Sequence, residues 1–426
     1  MNTKYFLLFG AALAAATLPA AFSAEVPKAP VPVSPFIKVV YGYADAMLKH
    51  GRDKSGLFFS ALDRNTLAPL TNRSVAPEGV PATDRVGTNG AALAGSNPYH
   101  DENLLRLLST LSDLSAKPHY RAAADAELKW FAEHMRPGTT DQFRPWMLWD
   151  RCFELAPGAS KQTMVRLAQQ EIASGAAVQR QAGFNIRALA IAYAQTKDEQ
   201  FLRAITRWLD RQETNVARDF TPSLAIDCDG TAQRVPEPLA SRLRKVAAHQ
   251  DALFQALSHN VKRTGGFISS HPRTLENPMP APTPLWKART DTRTTAQIGL
   301  MCVSRYDNTG NVTYRGLLFA AADVYLDSLP ADDEDAWPAT FGHAINLEIA
   351  AWRHSADWKY MQRARKLGDI AVEKFWGTNV LPRASLKSDH YESITGADTL
   401  ALALLELHLQ ILHITAVRCP ANTMDR

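Results

Sequence analysis

Five short stretches of this 426-residue chain gather side chains able to move protons, hold anions or stack on flat ligands. "NPYHDENLL" carries Tyr99, His100, Asp101 and Asn103, and "FRPWMLWDRCFEL" carries Arg144, Trp146, Asp150 and Arg151. "FNIRALAIAYA" supplies Phe184, Asn185 and Arg187, "FGHAINLEIAAW" supplies His343 and Asn346, and "HYESITGADTLALALL" supplies His390, Tyr391 and Glu392. Histidine suits proton transfer because its ordinary pKa lies near neutrality. Asp101, Asp150 and Glu392 offer the facing carboxylates that glycoside hydrolysis uses, and the aromatics are of a kind that stacks on sugar rings. Singly, each group has a structural explanation. Asn97 with Pro98 makes a good helix start, and Asp101 and Glu102 suit the positive end of a helix dipole. Asp150 and Arg151 can pair with neighbours, and Arg beside Trp is a common packing pair. The functional reading rests on recurrence: each time, a polar and aromatic cluster precedes an apolar run.

Those runs must be the elements that position the clusters. Leu104, Leu107, Leu108, Leu111 and Leu114 recur at helical spacing and form one stripe. The next segment is mixed, with Ala123, Leu128 and Phe131 inward and Arg121, Asp125 and Lys129 toward water, so inner and outer helices alternate. The same unit of apolar helix, polar turn, aromatic residue and amphipathic helix recurs with Tyr120, Phe201, Tyr314 and Tyr360 just after the turn. "DTLALALLELHLQIL" is apolar nearly all round, as a helix buried between neighbours should be. Irregular repeats with long connections favour an all-α fold closed as an α/α toroid, with few short strands in its loops, over a regular open array. In such a ring all inner helices start on one rim, and the five clusters converge on a single cleft.

Residues 1–24 have the layout of a secretory signal peptide, 25–36 form a Pro-rich arm, 37–418 the toroid domain and 419–426 a tail. The expected location is therefore the periplasm or the outside of the cell. No later stretch is apolar for long enough to span a membrane. A net charge of +4, evenly spread, gives no case for nucleic acid but suits an acidic glycan. Four cysteines, at 152, 228, 302 and 419, allow three pairings. Cys152 and Cys302 fall in apolar helical patterns and read as buried thiols, which leaves a Cys228–Cys419 disulfide open. Residues 63–98 and 263–292 are long loops, which in a compact domain are usually functional or disordered. The acidic run at 332–335 reads as a solvated turn and "DCDG" at 227–230 as another turn, since it lacks the distal ligands of a calcium loop. No motif specifies a cofactor; Ca2+ stays open, with the 332–335 turn as the place it would touch. Phosphate-loop and zinc motifs are absent, and nothing sets an oligomeric state.

The stretches "YGYADAMLKHGRDKSGLFFSALDRNTLAPL", "NPYHDENLLRLLSTLSDL", "FRPWMLWDRCFELAP" and "HYESITGADTLALALLEL" together resemble secreted bacterial pectate lyase-like (pectic acid lyase-like) α/α-toroid proteins. The chain departs from that pattern between Arg136 and Phe143, where it is short. The resemblance implies β-elimination on a uronic-acid polymer, with an acidic polysaccharide or oligosaccharide as partner. Elimination needs a cation on the carboxylate, a base for the C5 proton and an acid for the leaving oxygen. Arg144 and Arg187 are candidates for the first role, His100 or His343 for the second, and Tyr99 or Tyr391 for the third. Asn103, Trp146, Asp150, Arg151, Asn185, Asn346, His390 and Glu392 would line the substrate. The alternatives are a glycoside hydrolase on the same fold, using Asp101, Asp150 or Glu392, and a non-catalytic glycan-binding relative.

Overall fold

The leucine stripe of "ENLLRLLSTLSDLS" forms a helix over Glu102–Ser115 in which Leu104, Leu107, Leu108 and Leu111 are fully buried. It stops where Ala116 turns left-handed at φ 56°, and Pro118 opens the returning helix. The same construction repeats along the chain. The structure is a computed structural model that describes residues 34–70, 72, 74–82, 85, 96, 100–134, 165, 169, 186–214, 222–257, 259–268 and 282–421. In chain order its helices are α1 (Pro35–Lys49), α2 (Glu102–Ser115), α3 (Pro118–His134), α4 (Ile186–Thr196), α5 (Glu199–Thr214), α6 (Pro222–Ala232), α7 (Leu239–Gln255), α8 (Thr295–Thr309), α9 (Val312–Tyr325), α10 (Pro338–Ser355), α11 (Trp358–Ala371) and α12 (Ala397–Ile411).

The even-numbered helices form the inner layer. α2 packs on α12, α12 on α10, α10 on α8, α8 on α6 and α6 on α4. Each has an outer partner: α3 on α2, α5 on α4, α7 on α6, α9 on α8, α11 on α10, and α1 on α12. Because α12 contacts both α1 and α2, the last described helix meets the first two and the row curves into an α/α toroid. The rings that follow the short turns, Tyr120, Phe201, Tyr314 and Tyr360, are all buried at the start of outer helices.

The turns from α2, α4, α8 and α10 to their outer partners are short, whereas the connections leading into α2, α8, α10 and α12 are long and meet one another. β1 (Ala61–Leu62), after α1, pairs antiparallel with β2 (Tyr391–Glu392), just before α12. Farther along the first connection, Glu78 N donates to Asp335 Oδ2 at 3.1 Å, Trp337 Nε1 donates to Glu78 O at 3.0 Å, and Thr290 N donates to Gly79 O at 3.2 Å. One loop thus ties together the approaches to α8, α10 and α12, which makes these helix starts a common rim.

Several local expectations change. The first helix begins at Pro35, inside the Pro-rich stretch, and Ser34 Oγ meets His408 Nδ1 at 2.7 Å. "DCDG" is helical within α6 rather than a turn, and Asp229 pairs with Arg305 at 2.5 Å. Asp335, at the end of the acidic run, is buried rather than solvated because its carboxylate accepts Glu78 N and, at 2.8 Å, Lys387 N. Cys302 is a buried free thiol as expected; Cys228 and Cys419 are also free, so the disulfide between them is not formed. Cys152, the signal segment and residues 136–143 lie outside the described residues.

Candidate active site

The start of α2 shows how the rim is built. Asp101 occupies the N-cap position, yet its side chain makes no capping bond. Instead Asp398, in the first turn of α12, accepts Leu104 N at 2.9 Å through Oδ2 and Thr399 N at 2.8 Å through Oδ1. A carboxylate from the neighbouring inner helix thus caps α2, satisfying one of the amide donors that a helix start leaves without an intrahelical partner. Asn103 Nδ2 donates to Thr399 Oγ1 at 2.8 Å and fastens the two helices side by side. Asp101 and Asp398 are 1% and 2% exposed.

Two phenols complete this centre. Tyr43 of α1 and Tyr391 of β2 are both buried, with hydroxyls 3.3 Å apart. Burial pushes the Tyr43 phenol well above its usual range, and the Tyr391 hydroxyl and the charges of Asp398 and Asp101 push the same way. Both acids are therefore electrostatic neighbours of one phenol. His343, 1% exposed, stands on α10 next to Gly342, where a Cβ would come within 2.9 Å of Thr399 O, so the absence of a side chain lets α10 close on α12.

A second cluster sits beside the first. Arg85 grips Glu392 with Nε to Oε1 at 2.5 Å and Nη2 to Oε2 at 2.8 Å. His390 Nε2 lies 2.8 Å from the same Oε2 and 3.0 Å from Ser74 Oγ. Burial alone would raise the Glu392 carboxyl; the hydrogen bonds from His390 and Arg85, with the guanidinium charge, outweigh it and hold it below the usual carboxylate range. Serine and carboxylate share one imidazole nitrogen, so this group is not a relay in which histidine passes a proton between opposite ring nitrogens.

Of the predicted site residues that are described, His100 and Asn103 lie at the start of α2, His343 on α10, and His390, Tyr391 and Glu392 on the approach to α12, and all six are buried. Asn346 is one turn deeper and donates to Glu406 Oε2 of α12, which also takes Arg353, so it serves the helix interface. Arg187 lies on α4, 4.0 Å from Asp227 of α6. Tyr99, Arg144, Trp146, Asp150, Arg151 and Asn185 lie outside the described residues. The sequence reading missed Tyr43, Ser74, Arg85 and Asp398. Only Asp398 left a signal, as a lone acid in the first turn of an otherwise apolar helix. Among the described residues no group of three His, Cys, Asp or Glu is placed to hold a metal ion, so none offers Ca2+ such a site. No helix among them is long and apolar enough to cross a membrane.

No protein-family profile matches the chain, and no curated protein matches it. Solved structures with a similar course include the unsaturated glucuronyl hydrolase of Streptococcus agalactiae, at TM-score 0.49 and 8% identity over 88% of this chain and 93% of that one. The cellobiose 2-epimerase of Bacillus thermoamylovorans gives TM-score 0.49 and 10% identity over 87% and 98%. A family 76 glycoside hydrolase from a bovine Bacteroides thetaiotaomicron strain gives 0.46 and 11% over 88% and 78%. These likenesses are too distant to select a reaction.

Proposed function

We propose that this protein is an exported carbohydrate-active toroid that cleaves glycosidic bonds of a uronic-acid-bearing glycan at the long-loop rim, by hydrolysis. The observation that carries this is the pair of buried acids, Asp101 and Asp398, presented by adjacent inner helices to one phenol. Asp398 is bound by backbone donors on both oxygens and acts as the fixed electrostatic partner. Asp101, which does not cap its own helix, is the acid–base group. Tyr43 and Tyr391 keep the pair dry, and His100 and His343 flank it to orient sugar hydroxyls.

Hydrolysis is preferred to elimination because elimination needs a cation available to the substrate carboxylate. Among the described residues, the arginines of this region are held by protein carboxylates: Arg85 by Glu392, Arg64 by Asp389 and Arg106 by Glu102. The small net positive charge supports an acidic glycan as substrate. Purified protein should be incubated with pectic, alginate and glycosaminoglycan oligosaccharides while reducing ends and the ultraviolet absorbance of an unsaturated product are read together. New reducing ends without an absorbance rise are expected. A rise would replace hydrolysis with elimination, and silence in both channels would leave glycan binding.

A further inference from the structure

Residues 413–421, after α12, stay against the ring. His413 turns left-handed at φ 52°, and Ile414 N donates back to Leu409 O at 2.9 Å. By Cys419 the chain has returned alongside α12, with Sγ 3.8 Å from Leu402 O, and Arg106 Nη1 of α2 donates to Ala421 O. The Cys419 thiol is pushed up by burial, and Glu406, Arg353 and Arg106 are its charged neighbours. Residues 413–421 therefore double back across the faces of α12 and α2 that carry Leu402, Glu406 and Arg106. On α12 this face is turned away from the outer layer. Leu407, about 140° around the helix from Leu402, packs instead against Phe36 of α1 at Gly368 of α11, both in the outer layer.

Arg106 lies five residues after Asp101, a descent of about 7.5 Å along a helix. It is fixed there by Glu102 at 2.9 Å. From these positions we infer that the C-terminal segment is the floor of the substrate cavity, closing the lumen one to two turns beneath the rim acids. The inference rests on the rim being the substrate site. A sugar chain entering from the rim meets this floor after about one ring, so it cannot thread through the toroid. The enzyme accordingly acts on chain ends and releases mono- or disaccharides.

Two experiments test this separately from the reaction assignment. In the first, intact protein and an Arg106→Gln variant are treated with iodoacetamide, and alkylation is read at each cysteine by peptide mass spectrometry. A seated floor predicts that Cys419 reacts at least about tenfold more slowly in the native protein than in denaturant and is unmasked in the variant. Equal rates in native and denatured protein overturn the floor, whatever reaction the protein performs. In the second, the intact chain and a chain ending at Leu412 are given end-labelled oligosaccharides of the active glycan. The intact enzyme should shorten them from one end, and the truncated one, shown folded by circular dichroism, should also release internal fragments. Internal cleavage by the intact enzyme, or an unchanged ladder after truncation, overturns the inference while leaving the hydrolase reading standing.

Discussion

Tyr120, in the first turn of α3, donates its hydroxyl to Asp45 Oδ1 of α1 at 2.6 Å, joining consecutive outer helices. The same clasp recurs as Tyr314 to Asp251 of α7 at 2.5 Å and Tyr360 to Asp323 of α9 at 2.8 Å. Each tyrosine follows a short turn, and each aspartate lies in the last two turns of the preceding outer helix. Burial, then the aspartate, raises all three phenols, Tyr360 to about 12, so they remain donors across the physiological range. Phe201 keeps the ring without the hydroxyl, which identifies the ring as the packing element and the bond as an added tie between hairpins.

Removing the hydroxyls should therefore cost stability in a defined order. Tyr120→Phe should lose about 0.5–1.5 kcal/mol, the usual net worth of one hydrogen bond, because Asp45 is exposed and water replaces the donor. Tyr314→Phe should lose more, about 1.5–3 kcal/mol, since Asp251 is largely buried and also holds Arg305 at 2.5 Å. Urea unfolding of both variants checks the ranking, and equal losses would refute it.

The turns themselves carry strain that can be relieved. Ala116, Lys197 and Ala356 hold φ of 56°, 58° and 58° where the equivalent turn after α8 uses Gly310 at 69°. A side chain in the left-handed region costs about 1 kcal/mol that glycine does not. Ala356→Gly should accordingly stabilise the protein by about 0.5–1 kcal/mol, measured as a shift of the unfolding midpoint at unchanged slope. A loss of stability would mean that the Ala356 methyl is packed rather than strained.

Much of this was legible in the sequence, and the boundary has a physical cause. Leucine stripes and the ring after each turn are local signals with helical period, so the alternation of inner and outer helices could be read directly. Clusters before the inner helices were also visible, because they are contiguous. What was hidden was every contact that closes the rim: Asp398 caps Leu104 across 294 positions, and Arg85 reaches Glu392 across 307. Neither obeys a local rule, so Arg85 reads as one more loop arginine and Glu392 as a free acid. The left-handed Ala116 and Ala356 were invisible for the opposite reason, since alanine is an ordinary helix residue and only the fold imposes its strain.

A buried acid of α3 gives a pH signature. Glu127 of α3 is fully buried, and burial raises its carboxyl to about 8 despite a bond from Ser96 Oγ at 3.2 Å. The folded state then holds a proton that the unfolded chain releases, so its contribution is fully present below the unfolded pKa and is lost as pH rises toward about 8. Glu392 has the opposite sign: its pKa is lowered, so its contribution is present above the unfolded value and lost as pH falls through the folded one. Glu127→Gln should raise the melting temperature at pH 8 by about 2–4 °C and leave it nearly unchanged at pH 4. An equal shift at both pH values would mean that packing, not titration, sets the effect.

The two rim acids should separate activity from stability. Asp101→Asn keeps the side-chain shape and leaves the cap of α2 in place, so it should cost less stability than Asp398→Ala. Removing the acid–base group should nonetheless lower kcat by about 100-fold to 10,000-fold. Asp398→Ala takes away the cap of α2 and should cost about 1–2 kcal/mol of stability as well as activity. Its loss of folding should be rescued in part by Asp398→Asn, whose amide oxygen can still accept Leu104 N, while activity is not. Parallel kinetics and urea unfolding decide the assignment. If Asp101→Asn retains full turnover, Asp101 is a structural acid and the catalytic group lies elsewhere on the rim.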